Sequence, residues 1–241
     1  MPYFLSAQNL KPQLEVTISG EEARHLMLSR RLKVGEEIKL QGPDGGRYLC
    51  KVLEVAKKDL KVKTLEALSI PQEPKTKVTL FQSYINQSAL DLVLQKSTEL
   101  MASRVVIFNS HNTANRLEKD KFQEKQTRWE NILWEAAKQS ERQNPPALEF
   151  AETLSMAAER AAALDLLVLT EPASNQKLRD LKFENAATIG LFIGPEGGFT
   201  PDETAQLLKL PNCKGVNLGP ILLRAETASL AALAISLDRA G

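Results

Sequence analysis

Ile193-Gly194-Pro195-Glu196-Gly197-Gly198-Phe199-Thr200-Pro201-Asp202-Glu203 follows directly on the apolar run Thr188–Ile193. A run of that kind suits a strand buried on both faces of a parallel sheet. The glycines after it let backbone approach a ligand closely. Thr200 suits a helix N-cap, Pro201 the first helical position and Glu203 the second arm of a capping box. The segment therefore reads as strand, glycine loop, helix. It is not a P-loop, because no Lys-Ser or Lys-Thr follows, and it is not GxGxxG. Asp202 and Glu203 occupy the helix N-terminus where a phosphate would sit, and Glu196 would repel one. A nucleoside without phosphate, with hydroxyls to donate and a positive charge, fits better, and S-adenosylmethionine has that character. The alternative is a plain tight turn before a capped helix.

Working outward, strands and helices alternate from residue 77 onward. Strands are expected at Val78–Phe81, Val105–Phe108, Leu148–Phe150, Leu166–Leu169, Thr188–Ile193 and Gly215–Leu218. Helices are expected at Ser88–Met101, Asp120–Gln139, Leu154–Ala163, Pro201–Leu210 and Glu226–Arg239. Ser88 with Asp91 three residues on reads as a capping arrangement. The pattern argues a mostly parallel α/β sheet, whose ligands bind beyond the carboxyl ends of the strands. Three such ends carry unusual residues: Thr170-Glu171-Pro172, the glycine loop, and Gly219-Pro220-Ile221-Leu222-Leu223-Arg224. The last is apolar where a loop should be polar, so a flat aromatic ligand or another part of the chain must cover it. A short buried strand with a structural Arg224–Glu226 pair is the alternative. The small residues Ala228, Ala231, Ala232 and Ala234 suit either core packing or a dimer interface.

The first third differs. Short β-like runs at Leu14–Ile18, Glu37–Leu40, Arg47–Val55 and Leu60–Leu65 are split by turn signals, with Gly42-Pro43-Asp44-Gly45-Gly46 the strongest. With one helix at Glu21–Arg30, this reads as a small β-rich domain, a barrel. Residues 1–70 form that domain, 71–76 a proline-containing linker and 77–241 the α/β domain. Arg24, His25, Arg30, Arg31 and Lys33, with Arg47 nearby, make a candidate phosphate-contacting patch, or else a solvated helix face. Ser140 and Arg142, at the end of a helix, either face RNA or cap the helix. His111, just past a strand end, is a candidate substrate contact.

Composition sets the outer limits. Among 241 residues, 43% are hydrophobic and 25% charged, which excludes disorder and collagen-like architectures. Lys plus Arg is 31 against 30 acidic residues, a net charge of +1, which leaves only a local basic patch for nucleic acid. Cys50 and Cys213 are isolated, which excludes a disulfide scaffold and suggests a reducing compartment. No metal is expected, since there is no CxxC and only His25 and His111 offer imidazole. The stretch Met1-Pro2-Tyr3-Phe4-Leu5 does not read as a signal peptide, and no run is long enough for a bilayer. A soluble cytoplasmic protein is expected, with no membrane partner.

Ile193–Phe199 together with Leu218-Gly219-Pro220-Ile221-Leu222-Leu223-Arg224-Ala225-Glu226-Thr227-Ala228 resembles the RsmE family, uracil-N3 methyltransferases of small-subunit ribosomal RNA in the SPOUT class. His25–Gly35, Gln95–Leu100 and Gln139–Arg142 resemble further motifs of that family, so the likeness runs over nearly the whole chain. It implies a trefoil-knotted, mostly parallel α/β domain preceded by a PUA-like RNA-binding barrel, and a homodimer with the knot in its interface. It implies S-adenosylmethionine held by Leu169, Thr170 and Glu171, by Gly194, Pro195, Glu196, Gly197 and Gly198, and by Leu218, Gly219, Leu222, Leu223 and Thr227. Arg224 and Glu226 become the catalytic candidates, Arg224 stabilising charge on the uracil and Glu226 orienting it or taking a proton. The chain departs from the family in having Ile221 for an Arg, Met101-Ala102 for Gly-Val, Ser110-His111-Asn112 for Ser-Glu-Arg, and Asn86-Gln87 early in the first helix region where an Arg is common. The rival readings are a SPOUT enzyme with another RNA target and a non-catalytic RNA-binding assembly protein. A nicotinamide-dependent oxidoreductase is discarded, since Gln82-Ser83-Tyr84-Ile85-Asn86 stands where GxGxxG would be needed.

Overall fold

A computed structural model describes residues 2–30, 32–183 and 186–240. The chain divides into two units, Met1–Gln72 with Ala137–Asn144, and Glu73–Ala136 with Pro145–Gly241. The expected boundary near residue 70 thus lies beside one of the divisions, whereas Ala137–Asn144, at the end of a long helix, belongs with the first unit.

The second unit carries strands β6 (Lys77–Ser83), β7 (Arg104–Phe108), β8 (Ala147–Ala151), β9 (Leu166–Thr170), β10 (Thr188–Ile193) and β11 (Cys213–Val216). All pair in parallel, in the order β11-β9-β10-β6-β7-β8. Their apolar runs bury both faces. Leu80, Val105, Ile107 and Leu191 join Leu90 and Val93 of α2 (Gln87–Glu99), Trp129 and Leu133 of α3 (Lys119–Gln139) and Leu233 of α6 (Ala225–Ala240) in one core. Phe81, Val106, Phe108 and Phe192 face the other way, toward Leu154 and Ala157 of α4 (Leu154–Ala161) and Leu207 of α5 (Pro201–Leu208). The expected α/β architecture is present, with small displacements. Helix α2 is capped by Asn86, whose side chain accepts from the Ala89 amide, and not by Ser88. Strand β11 ends two residues earlier than expected. Asn217 turns away to pair with the 174–177 segment, its amide donating to the Gln176 carbonyl at 2.7 Å and its Nδ2 to the Ser174 carbonyl at 2.6 Å.

The first unit holds β1 (Tyr3–Leu5), β2 (Glu15–Ile18), α1 (Gly20–Arg30), β3 (Glu37–Gln41), β4 (Arg47–Val55) and β5 (Leu60–Ala67). The order is β1-β3-β4-β5-β2, antiparallel except for β1 against β3. Two register shifts between β4 and β5 mark bulges, which bend a sheet around its core. That core contains Val16, Ile38, Leu40, Val52, Leu60 and Val62, with Ala23 and Leu26 of α1 against them. Strand β1 is too short for any periodicity to announce it. Gly45, with φ +82, turns the β3–β4 hairpin, and a Cβ there would lie 1.9 Å from Gln143 Nε2. The positive φ is what calls for glycine there, since the Gln143 side chain can swing aside.

Candidate functional site

The strand order decides the site. Strands β11, β9 and β10 are adjacent, so the segments leaving their carboxyl ends lie side by side. They enclose a cavity of about 640 Å³ lined by Thr170, Glu171, Pro172, Ile193 to Phe199, Val216 to Gly219, Ile221 to Glu226, Ala228 and Asn86. The topology therefore brings into one cavity Thr170, Glu171, Gly194, Pro195, Glu196, Gly197, Gly198, Leu218, Gly219, Leu222, Leu223, Arg224 and Glu226. Leu169 is not in the lining; it is fully buried within the sheet. Thr227 is exposed on the first turn of α6 and is not in the lining either.

The glycine loop has physical reasons for its composition. A Cβ at Gly194 would press to 3.3 Å on the Phe199 ring, which itself stacks on Phe108. Gly198 has φ +69, a left-handed conformation that costs other residues energy. At the start of α5, Thr200 accepts from the Glu203 amide at 3.2 Å and Glu203 accepts from the Thr200 amide at 2.9 Å, so the capping box is formed. Thr170 Oγ1 donates to the Phe192 carbonyl at 3.0 Å, joining β9 to β10. Glu171 accepts from Thr204 Oγ1 at 3.1 Å. Arg224 is exposed and Glu226 half-buried, and no ion pair joins them among the described residues. Leu222 and Ile221 are 81% and 72% exposed, an apolar lip beside carboxylates. Apolar walls, carboxylates and close glycine backbone suit a ligand with a flat ring at one end and a cation at the other. The same carboxylates disfavour a phosphate.

Two residues to which the sequence reading gave no site role hold the glycine loop. Asn86 donates from its amide and its Nδ2 to Glu196 Oε1 at 3.2 and 3.1 Å. Asn112 donates to the carbonyls of Gly197 and Gly198 at 3.2 and 3.1 Å. Neither has a signature that points to the glycine loop; the cues were a place just beyond a strand end and a departure from the family pattern. His111 is exposed outside the lining, and its backbone amide donates to Glu203 Oε1 at 2.7 Å.

The basic candidates separate. Arg24 and Lys33 are exposed. Arg31 and the side chains of His25 and Arg30 lie outside the described residues. Arg47 leaves the expected patch, since it is 2% exposed. Its guanidinium stacks on Tyr3 at 3.9 Å and donates to Gln41 Oε1 at 2.7 Å and to the Glu141 carbonyl at 3.0 Å. Arg142 is also buried, at 3% exposure, and its carbonyl accepts from Tyr3 Oη at 2.8 Å. Ser140 is half-buried, its Oγ 3.4 Å from the Ala137 carbonyl. In the first unit, therefore, Arg47 and Tyr3 use their polar atoms to hold Ala137–Asn144 against β1, β3 and β4. Arg142 is buried too deeply to present its charge to RNA.

Among the described residues there is no cluster of His, Cys, Asp or Glu that could hold a metal ion, and no helix long and apolar enough to cross a membrane.

A parallel sheet with a glycine-lined cavity at its carboxyl edge, after a bent β-sheet unit, accords with the class that the family models give, an RNA methyltransferase. Residues 71–237 match the model of an RNA methyltransferase domain, and 18–65 that of an RNA methyltransferase PUA domain. The chain belongs to the ribosomal RNA small subunit methyltransferase E family. It is 31% identical to that protein of Rickettsia conorii, over 95% of this chain and 90% of the relative. It is 27% identical to that of Bacillus subtilis, over 95% and 92%. The structure of the Neisseria gonorrhoeae protein bound to S-adenosyl methionine superimposes with a TM-score of 0.85 at 28% identity, covering 97% of this chain and 95% of that one.

Proposed function

We propose that this chain transfers a methyl group from S-adenosylmethionine to N3 of a uridine in small-subunit ribosomal RNA. The observation that carries the reading is the joining of three strand-end segments around one cavity that also holds Arg224. When bound there, the donor supplies an electrophilic methyl on a sulfonium. The chain's own residues do the rest. Leu218, Leu222 and Leu223 offer apolar cover to the adenine, while Glu196 and Glu171 offer acceptors to hydroxyl and ammonium groups. Neutral uracil N3 carries a proton and is a poor nucleophile, so a base or an anion-stabilising group must act on it. Arg224, exposed at the cavity with its planar fork, stabilises negative charge on the uracil oxygens. Glu226 takes the N3 proton. The target base must leave its stack to reach them.

Three parts of this reading have their own support. Arg24 and Lys33 are exposed cations on and after α1, suited to RNA phosphates. The exposed Ile221 and Leu222 with half-buried Ala228 and Ala231 favour a homodimer that covers them, with the segment from β11 into α6 forming the knot. A location in the cytoplasm follows from a ribosomal RNA substrate.

The test uses methyl-labelled donor, the purified full chain and small subunits lacking the modification, digested to nucleosides. Label in 3-methyluridine is expected. Label in another nucleoside overturns the base assignment and leaves the methyltransferase. Donor binding without any label favours the assembly-protein reading.

A further inference from the structure

The residues that hold the glycine loop from outside the cavity lie on one continuous, buried scaffold. Asn109 closes it at one end: its Nδ2 donates to the Leu117 carbonyl at 2.8 Å and to the Glu152 carbonyl at 3.1 Å, and its Oδ1 accepts from the Leu117 amide at 2.8 Å. Next, Ser110 and Thr113 form a tight turn, with the Ser110 amide donating to Thr113 Oγ1 at 3.0 Å. Ser83, at the end of β6, joins their hydroxyls at 2.9 and 3.2 Å. Ser83, Ser110 and Thr113 are all buried, so the turn is locked by hydrogen bonds that water does not compete for. Asn112 projects from this turn to the carbonyls of Gly197 and Gly198, and a Cβ on Gly197 would lie 3.1 Å from Asn112 Cβ.

We propose that Asn112 is a positioning residue for the methyl donor. It fixes the carbonyls of Gly197 and Gly198, and through them the backbone and the Glu196 carboxylate that meet the ligand. Asn112 is absent from the cavity lining, so it acts through the loop and not by contact. Asn86, just past β6, makes the matching hold on Glu196, and one carboxylate oxygen of Glu196 is thereby committed. A loop held at Glu196, Gly197 and Gly198 before the donor arrives loses less conformational freedom on binding, which shows as affinity. This inference rests on the S-adenosylmethionine reading of the cavity.

The experiment compares the full chain with Asn112→Ala and Asn112→Asp. Donor affinity is measured by calorimetry, amide hydrogen exchange over 194–199 without donor, and initial rates against donor and RNA. Two neutral hydrogen bonds at a partly exposed site predict a roughly tenfold rise in donor Kd and KM for Asn112→Ala. Exchange over 194–199 accelerates, while kcat at saturating donor, the KM for RNA and Tm stay near wild type. Asn112→Asp loses more than the alanine variant, because a carboxylate then faces two carbonyl oxygens. Unchanged donor affinity and exchange in both variants overturn the proposal. So does an equal loss of donor affinity, RNA binding and Tm, which marks a merely structural residue. Failure of the wild-type chain to bind the donor overturns instead the reading beneath it, and is seen before any variant is made.

Discussion

Arg224 and Arg47 are the same residue used in opposite ways. Arg224 lies at the cavity, exposed, and none of its side-chain donors is engaged among the described residues. Arg47 on β4 is 2% exposed, stacked on Tyr3 and bonded to Gln41 and to two carbonyls of the 137–144 segment. Even so, its Nε finds no acceptor among the described residues. A guanidinium is kept at a surface cavity for what it does to a ligand. One in a core is kept because it supplies donors to the acceptors buried around it. The sequence around each, Leu223-Arg224-Ala225 and Gly46-Arg47-Tyr48, gives no hint of the difference.

The comparison can be broken at its larger end first. Arg224→Ala is expected to lower kcat by about 10²–10³ with Tm unchanged, the usual loss when a donor aimed at developing charge is removed. Single-turnover methyl transfer measures it, and a near-wild-type rate ends the catalytic role. Arg47→Met should do the reverse. It strips donors from Gln41 Oε1 and the 141 and 142 carbonyls and costs about 2–4 kcal/mol of stability, read by urea unfolding. Loss of RNA affinity with stability intact would return Arg47 to the surface patch and dissolve the contrast.

A pH experiment probes the same buried region. Burial pushes the Tyr3 phenol up to about 12 and the Cys50 thiol up to about 12, from 10.0 and 9.0. Both are acids whose folded form holds its proton longer than the unfolded form does. Their contribution is full below the unfolded values and is lost as pH rises through them toward 12. Unfolding free energy should fall by about 3 kcal/mol between pH 8 and 10.5. Cys50→Ala should remove part of that slope, and an unchanged slope would show that other groups set it.

The smallest expected effect concerns two helix ends. Met101 and Glu141 both sit at positive φ, 63 and 58, just past α2 and α3. In both, the next amide reaches back five residues, Ala102 to the Ser97 carbonyl and Arg142 to the Ala137 carbonyl, each at 2.9 Å. This is the helix ending that favours glycine. Met101→Gly should gain about 0.5 kcal/mol, the backbone strain relieved less the packing of the deleted side chain. Glu141→Gly should come out near zero, because Glu141 also pairs with Lys39 at 2.5 Å. Calorimetric Tm values separate the two, and equal gains would show that the ion pair adds nothing.

Much of this protein was legible in its sequence because the signals were local. Glycines, the Thr200–Glu203 capping box and apolar runs such as Thr188–Ile193 act within a few residues of themselves, so they set the elements and marked the glycine loop. Elements without a local pattern were missed or shifted, namely β1 with its three residues, the Asn86 cap and the end of β11 at Val216. What only the tertiary structure decided was adjacency. The order β11-β9-β10 makes one cavity of three distant loops. The burial of Arg47 takes it out of the basic patch, that of Arg142 withdraws it from RNA, and Asn112 meets a loop 85 residues away. Such contacts join residues that share no sequence neighbourhood. The need to satisfy buried donors and acceptors selects them only once the chain has closed upon itself.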